Sequence, residues 1–280
     1  LGFRAGVWNI GAEGQFIAGA LLGSAPAVYF FDSTNPLILP CMMLLGILGG
    51  MAWAAMPALL KTRFNANEIL VSLMLVYVAE LLLVHLVQGP WRNPQGWGFP
   101  GTRMFPDVAL LPMFFPGYRV HLGTLIAVLI PFVVWFVMTR TRFGFQIRVF
   151  GSAPLAARHA GIGNSQMVWT TLLVGGGLAG LAGVMEAAST IGQLMPKISP
   201  GYGFTAIIVA FLGRLHPVGV LLAGTVIAVT YIGGESAQIS AGLPKAVTGL
   251  FQGIILFYLL AFDLLTRYRL TRVKTRDNNA

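Results

Sequence analysis

Long apolar runs alternate with short polar breaks along this chain, and the runs set the predicted elements. Apolar segments cover 7–31, 37–60, 66–87, 120–138, 167–191, 218–234 and 246–265. Each is close to the roughly 20 residues a helix needs to cross a bilayer. One further run does not fit. It lies within 199–217, which reads SPGYGFTAIIVAFLGRLHP. Pro200, Gly201, Tyr202 and Gly203 make a turn, the apolar run lasts only from Phe204 to Leu212, and Gly213, Arg214, His216 and Pro217 end it. A run of half the spanning length predicts a short re-entrant helix. Broken backbone at membrane depth is tolerated only where protein buries it or where it lines a wet cavity. The pattern as a whole predicts an all-α, polytopic integral membrane protein, a single transmembrane domain over 1–280. It would have about six or seven spanning helices arranged around that short element.

Composition agrees. The chain is 56% hydrophobic and 10% charged, with a mean hydropathy of +0.77, whereas soluble domains carry about 25% charged residues. Many of the 35 glycines fall inside apolar segments, as at Gly19, Gly23, Gly175, Gly176, Gly177, Gly180 and Gly183. That placement suits close helix packing in lipid. The net charge of +9 does not point to nucleic acid, because no basic stretch carries interleaved aromatics. The charges gather instead at segment ends. Lys61, Arg63, Arg140, Arg142, Arg148, Arg158 and the basic tail 266–280 are expected on the cytoplasmic side, with a cytoplasmic C-terminus. Arg92, Arg103, Arg119, Lys197 and Lys245 then face outward. The short element enters from outside, 218–234 returns outward, and Arg214 is left at depth. The lone Cys41 permits neither an internal disulfide nor a cysteine metal cluster. The chain opens on Leu1 with no signal-peptide pattern, so its natural N-terminus is expected to lie upstream.

Few residues are candidates for chemistry. Glu13 sits in the first apolar segment, where a charge costs about 2.5–3.5 kcal/mol and usually faces a cavity or a partner. Asn9 and Glu13 are four apart and so are expected on one helix face. With Gln15 they line a polar pathway, or Glu13 serves as the structural partner of a helix end or of Arg214. Glu186 faces the pathway or outer solvent. Arg214 and His216 flank the chain break and either hydrogen-bond a polar solute or hold the break together. Glu80 and His85 are five apart with no third ligand, which does not make a metal set. No phosphate-binding glycine loop and no nucleophile–base set occurs, so no catalytic site, metal or cofactor is expected. In the polar stretch 144–166, Pro154 follows Ser152 and opens a predicted short helix over 154–160 that Gly161 stops. This is either a docking surface or a solvated connector. A proton-coupled secondary transporter using Glu13 or Glu186 is a rival reading. Such folds often carry inverted repeats, and no clear repeat is visible.

Four stretches carry a family resemblance: NIGAEGQFIAGA at 9–20, FNANEILVSLMLVYVA at 64–79, GSAPLAARHAGI at 151–162 and GYGFTAIIVAFLGRLHPVGVLLAG at 201–224. The chain resembles the permeases of ABC importers, in the branch that serves simple sugars, branched-chain amino acids and nucleosides. The first two stretches are most similar to nucleoside-type permeases. The resemblance implies a membrane-spanning importer subunit for a small polar solute, with a nucleoside as the expected solute and a ribose-like sugar or a branched-chain amino acid as alternatives. It implies residence in the cell's inner membrane, a separate cytoplasmic subunit that binds and hydrolyses ATP, a second permease subunit and an extracytoplasmic solute-binding protein. It places a coupling helix at Pro154, Ala156, Ala157, Arg158 and Gly161, with Ala156, Ala157 and Arg158 presented to the ATPase, and a pathway-lining short helix at 201–217. Typical members have further helix upstream, so the resemblance also implies a missing N-terminal segment.

Overall fold

The structure, a computed structural model, describes residues 1–114, 120–242, 244 and 246–267. After a single 3-10 turn at Gly2–Ala5 come α1 (Ala12–Tyr29), α2 (Ile38–Phe64), α3 (Glu68–Gln88), α4 (Leu122–Arg140), α5 (Arg142–Ser152), α6 (Pro154–His159), α7 (Asn164–Glu186), α8 (Tyr202–Leu212), α9 (Pro217–Ala241) and α10 (Ala246–Arg267). Helices α2, α3, α4, α7 and α9 are long and apolar enough to cross a bilayer, and the protein is a multi-pass membrane protein. Of the basic tail, 268–280 lies outside the described residues, as do Arg119 and Lys245.

Helices α1, α2 and α7 form the centre of the bundle, and glycines let their backbones touch. A Cβ on Gly19 would overlap the backbone of Gly180, one on Gly183 the backbone of Phe16, and one on Gly50 the backbone of Gly176. The small residues therefore act as the contact surface that packing in lipid favours. Helix α1 carries Glu13 and Gln15 at its start and buries most of its length, so protein rather than lipid surrounds it.

The two ends of the bundle differ. At the basic end, Asn65 takes the left-handed conformation (φ 52°) that closes α2, and Asn67 Oδ1 caps α3 by accepting from the Ile69 N–H at 2.9 Å. Lys61 and Glu68 pair across this turn at 2.8 Å. Here the structure adds an element that the sequence reading treated as loop. Helix α5 is capped by Thr141 Oγ1, which accepts from the Gly144 N–H. It buries Ile147 and Phe150 in a cluster with Ala157, Ile162 and Met167. At the other end, the segment after α3 folds back over the end of α7. Thr102 is 1% exposed, and its Oγ1 accepts from the Leu194 N–H at 3.0 Å. Thr102→Val keeps the shape but strands that buried N–H, a loss of about 1–3 kcal/mol. The purified protein is expected to denature at a lower temperature, and an unchanged midpoint would show that this end tolerates the lost bond.

The short element is present as α8, 11 residues or about 16 Å long, beside α9 with 25 residues or about 37 Å. The chain reaches it from α7 through a π turn at Ala187–Ile191, closed by left-handed Gly192, and then non-helical backbone. The start of α8 meets α9 at Tyr231, and its end packs Phe211 against Phe3 and Trp8. Thus α8 covers only the part of α9 nearer the basic end. The α8–α9 turn lies at that same end. Arg214 and His216 are exposed there, which corrects the expectation that Arg214 sits at depth. The turn has Arg214 and Leu215 both left-handed (φ 51° and 55°), a cost of about 1–2 kcal/mol each. Backbone bonds from Arg214 to Phe211 and from Leu215 to Ala210 hold it. Gly213 and Gly219 touch with no room for a side chain on either.

Candidate translocation site

The start of α8 is fixed from both sides of the chain. Gly201 adopts φ +107°, which glycine takes without strain. Ser199 Oγ accepts from the N–H groups of Gly201 and Tyr202, both at 3.0 Å. Glu13 Oε2 accepts from the Gly203 N–H at 2.5 Å, and Glu13 is 2% exposed. A carboxylate at a helix N-terminus answers both the unpaired donor and the positive end of the helix dipole, worth up to about 2 kcal/mol when partly buried. The approach is close because Gly203 has no side chain; a Cβ there would overlap the backbone of Ala12 and Glu13. Of the roles open to Glu13, the geometry shows the helix-end partner, a buried carboxylate beneath the start of α8.

Two cavities flank α8. One, of about 430 Å³, lies between α1, α4, α7 and α8, and its polar lining includes His121, Thr124, Glu186, Ser189 and Tyr202. The other, of about 700 Å³, lies between α8, α9 and α10, with Tyr202, Thr205, Tyr231, Glu235 and Gln238 on its walls. Both fall in the size range of small-molecule sites. Tyr202 belongs to both. Its ring meets Phe16 edge-on at 6.1 Å and Tyr231 at 6.0 Å. Thr205 and Tyr231 share a hydroxyl hydrogen bond of 3.0 Å.

The structure does not bring all the expected site residues together. Asn9 precedes α1, which begins at Ala12, so the four-residue spacing to Glu13 does not place them on one helix face. Asn9 instead forms a reciprocal amide pair with Gln15, at 2.9 and 3.0 Å. It also accepts from the Gly11 N–H, and the group braces the entrance to α1. Glu186 lines the first cavity. Arg214 and His216 lie at the basic end, away from both cavities.

In α6, Pro154 opens the helix and Gly161 follows it at φ +79°, as the stop signal predicted. Ala157 is 0% exposed, packed towards Ile147 and Ile162. It therefore belongs to the support of this helix and not to a presented knob. The exposed residues are Pro154, Leu155, Ala156, Arg158 and His159.

Sequence reasoning did not single out Thr205 on α8, nor His121, Ser199, Tyr231 and Glu235 around it. Ser199 alone carried a local signal, a hydroxyl two residues before Gly201 at the start of a predicted helix. Of the aromatics that could stack on a solute ring, Tyr202 faces the cavities, whereas Tyr77 and Trp97 are exposed and Trp91 meets Tyr29.

Residues 1–260 match the family model described as the permease component of branched-chain amino acid transport systems. A glucose ABC transporter permease protein of Haloferax volcanii is 38% identical, over 100% of this chain and 76% of its own length. A guanosine ABC transporter permease protein of Bacillus subtilis is 30% identical, over 99% of this chain and 80% of its own. A nucleoside ABC transporter permease protein of Lactococcus lactis is 24% identical, over 91% and 72% respectively. No solved structure matches the chain.

Proposed function

The chain belongs to the family of branched-chain amino acid transport system permease components, and from that membership we propose that it is the membrane-spanning subunit of an ATP-driven importer carrying a nucleoside into the cytoplasm. The observation that carries this reading is α8. It is a half-length helix whose start is anchored inside the bundle by Glu13 and is flanked by two cavities of ligand size. The guanosine and nucleoside permeases among the relatives support the nucleoside. A sugar is the second reading, favoured by the more similar glucose permease. Tyr202, Glu186 and Thr205 form the solute path. Glu13 and the Asn9–Gln15 pair hold its floor.

ATP binding and hydrolysis belong to a separate cytoplasmic subunit. A second permease subunit and an extracytoplasmic binding protein complete the importer. The basic end of the bundle, with the C-terminus, faces the cytoplasm. There α6 is the coupling helix, offering Leu155, Ala156 and Arg158 to the ATPase while Ala157 supports it from beneath. Arg214 and His216 lie on the same face. A ligand shifts a two-state equilibrium only by its differential affinity, so the partner's ATP cycle must drive the alternation.

Labelled guanosine, uridine and glucose uptake, with and without the gene, tests the reading. Gene-dependent uptake is expected to stop when ATP is depleted and to survive collapse of the proton gradient. Uptake that follows the proton gradient would point to the secondary transporter instead. Gene-dependent glucose uptake without nucleoside uptake would select the second reading. The double variant Leu155→Asp, Arg158→Glu is expected to lower uptake about tenfold or more, the loss of one interface hot spot. It should leave the amount of membrane-inserted protein unchanged. Wild-type uptake in that variant would remove α6 from the ATPase interface.

A further inference from the structure

A half-helix that begins inside a membrane protein turns unpaired N–H groups and the positive end of its dipole toward the interior. Such ends are where transporters hold the anionic groups of a solute. In this chain three donors at that end are already taken. Gly201 and Tyr202 donate to Ser199, and Gly203 donates to Glu13. Tyr202 and Gly203 belong to the wall of the first cavity, so a solute there meets a helix start whose first three donors are taken. Neither Lys nor Arg is among the described residues on either cavity wall. The carboxyl groups of Glu186 and Glu235 are the acidic side chains on the two walls.

We infer that the cavities beside α8 take uncharged, hydroxyl-bearing solutes and exclude carboxylates and phosphates, with Glu13 as the specificity-determining residue that closes the helix end to anions. This rests on the proposed role of the cavities as the solute path. Hydroxyl groups can donate to Glu186 and Glu235, and a base or sugar ring can pack on Tyr202 and Tyr231. A branched-chain amino acid would bring a carboxylate to a site with no Lys or Arg among its described residues and with three helix-end donors already taken. The exclusion therefore separates this chain from the solute class in its family's description.

The test is thermal denaturation of the purified permease–ATPase complex with uridine, glucose, leucine or uridine 5′-monophosphate at millimolar concentration. A ligand that binds the folded state raises the midpoint even when binding is weak. Uridine or glucose is expected to raise the midpoint of the wild type by about 2–4 °C, with leucine and the monophosphate giving no shift. Glu13→Gln keeps the acceptor and removes the charge, and is expected to gain a shift with leucine or the monophosphate relative to its own baseline. A wild-type shift with leucine or the monophosphate as large as with uridine or glucose would overturn the inference. So would no shift with either neutral solute, or a selectivity in Glu13→Gln identical to that of the wild type. If Glu13→Gln does not fold, the wild-type comparison still decides. Gene-dependent, ATP-dependent uptake together with any of these failures would sink the inference alone. Absence of such uptake would sink the reading beneath it.

Discussion

Glu13→Ala is expected to lower solute uptake about 30-fold or more while the protein still inserts and still co-purifies with its ATPase. Removing the carboxylate leaves the buried Gly203 N–H without an acceptor, at about 1–3 kcal/mol. It also removes the charge at the start of α8, worth up to about 2 kcal/mol. Together these lift the anchored position of α8 by roughly 2–4 kcal/mol, or about 30- to 1000-fold in its population relative to displaced ones. The central packing does not depend on Glu13, because the contacts among α1, α2 and α7 run through Gly19, Gly50, Gly180 and Gly183. Glu13→Gln keeps an acceptor and should fall between wild type and alanine. Uptake and co-purification measured on the same samples check the prediction. Wild-type uptake by Glu13→Ala would show that anchoring α8 has no part in transport. Loss of the assembled complex would move Glu13 into the folding core.

Gly183→Val is expected to abolish folded protein altogether. A Cβ at Gly183 would overlap the Phe16 carbonyl and reach the Ala20 amide. These are backbone atoms, so no rotamer change relieves the clash and α1 must separate from α7. Overpacking a well-filled core by movable side chains already costs about 1–3 kcal/mol, and a backbone obstruction costs more. Gly233→Ala is the matched control, since nothing lies within 4 Å of a Cβ there. Size-exclusion profiles in detergent check both. A monodisperse, wild-type-like peak for Gly183→Val would contradict the α1–α7 contact.

What the sequence disclosed and what it hid divide along sequence distance. The half-length of α8 was legible because the apolar run from Phe204 to Leu212 is bounded by glycines and prolines, and run length is a local property. The cost of Glu13 was legible for the same reason. Its partner was not, since Gly203 lies 190 residues away and both helix-end and pathway roles suit a buried carboxylate. Asn9 and Gln15 were misplaced because the helix starts only at Ala12, which turned an assumed face into a turn-and-pair arrangement. Helix α5 was hidden by Gly144 and Gly151, read as loop residues. In the fold they are tight contacts with Met138 and with Arg4. The inward turn of Ala157 depends on which side of a six-residue helix meets Ile147 and Ile162, and no local pattern fixes that.

The central claim is that α8 lines the path of the solute, and one residue reports on it most directly. Ala206 is exposed on α8 and lines both cavities. The lone Cys41 can be removed as Cys41→Ser, after which Ala206→Cys carries the only thiol. The measurement is its rate of labelling by a membrane-impermeant thiol reagent in cells, with and without the transported solute. Labelling that is slowed several-fold by the solute is the predicted result. A thiol that never reacts, or that reacts at one rate whether or not the solute is present, would contradict the account.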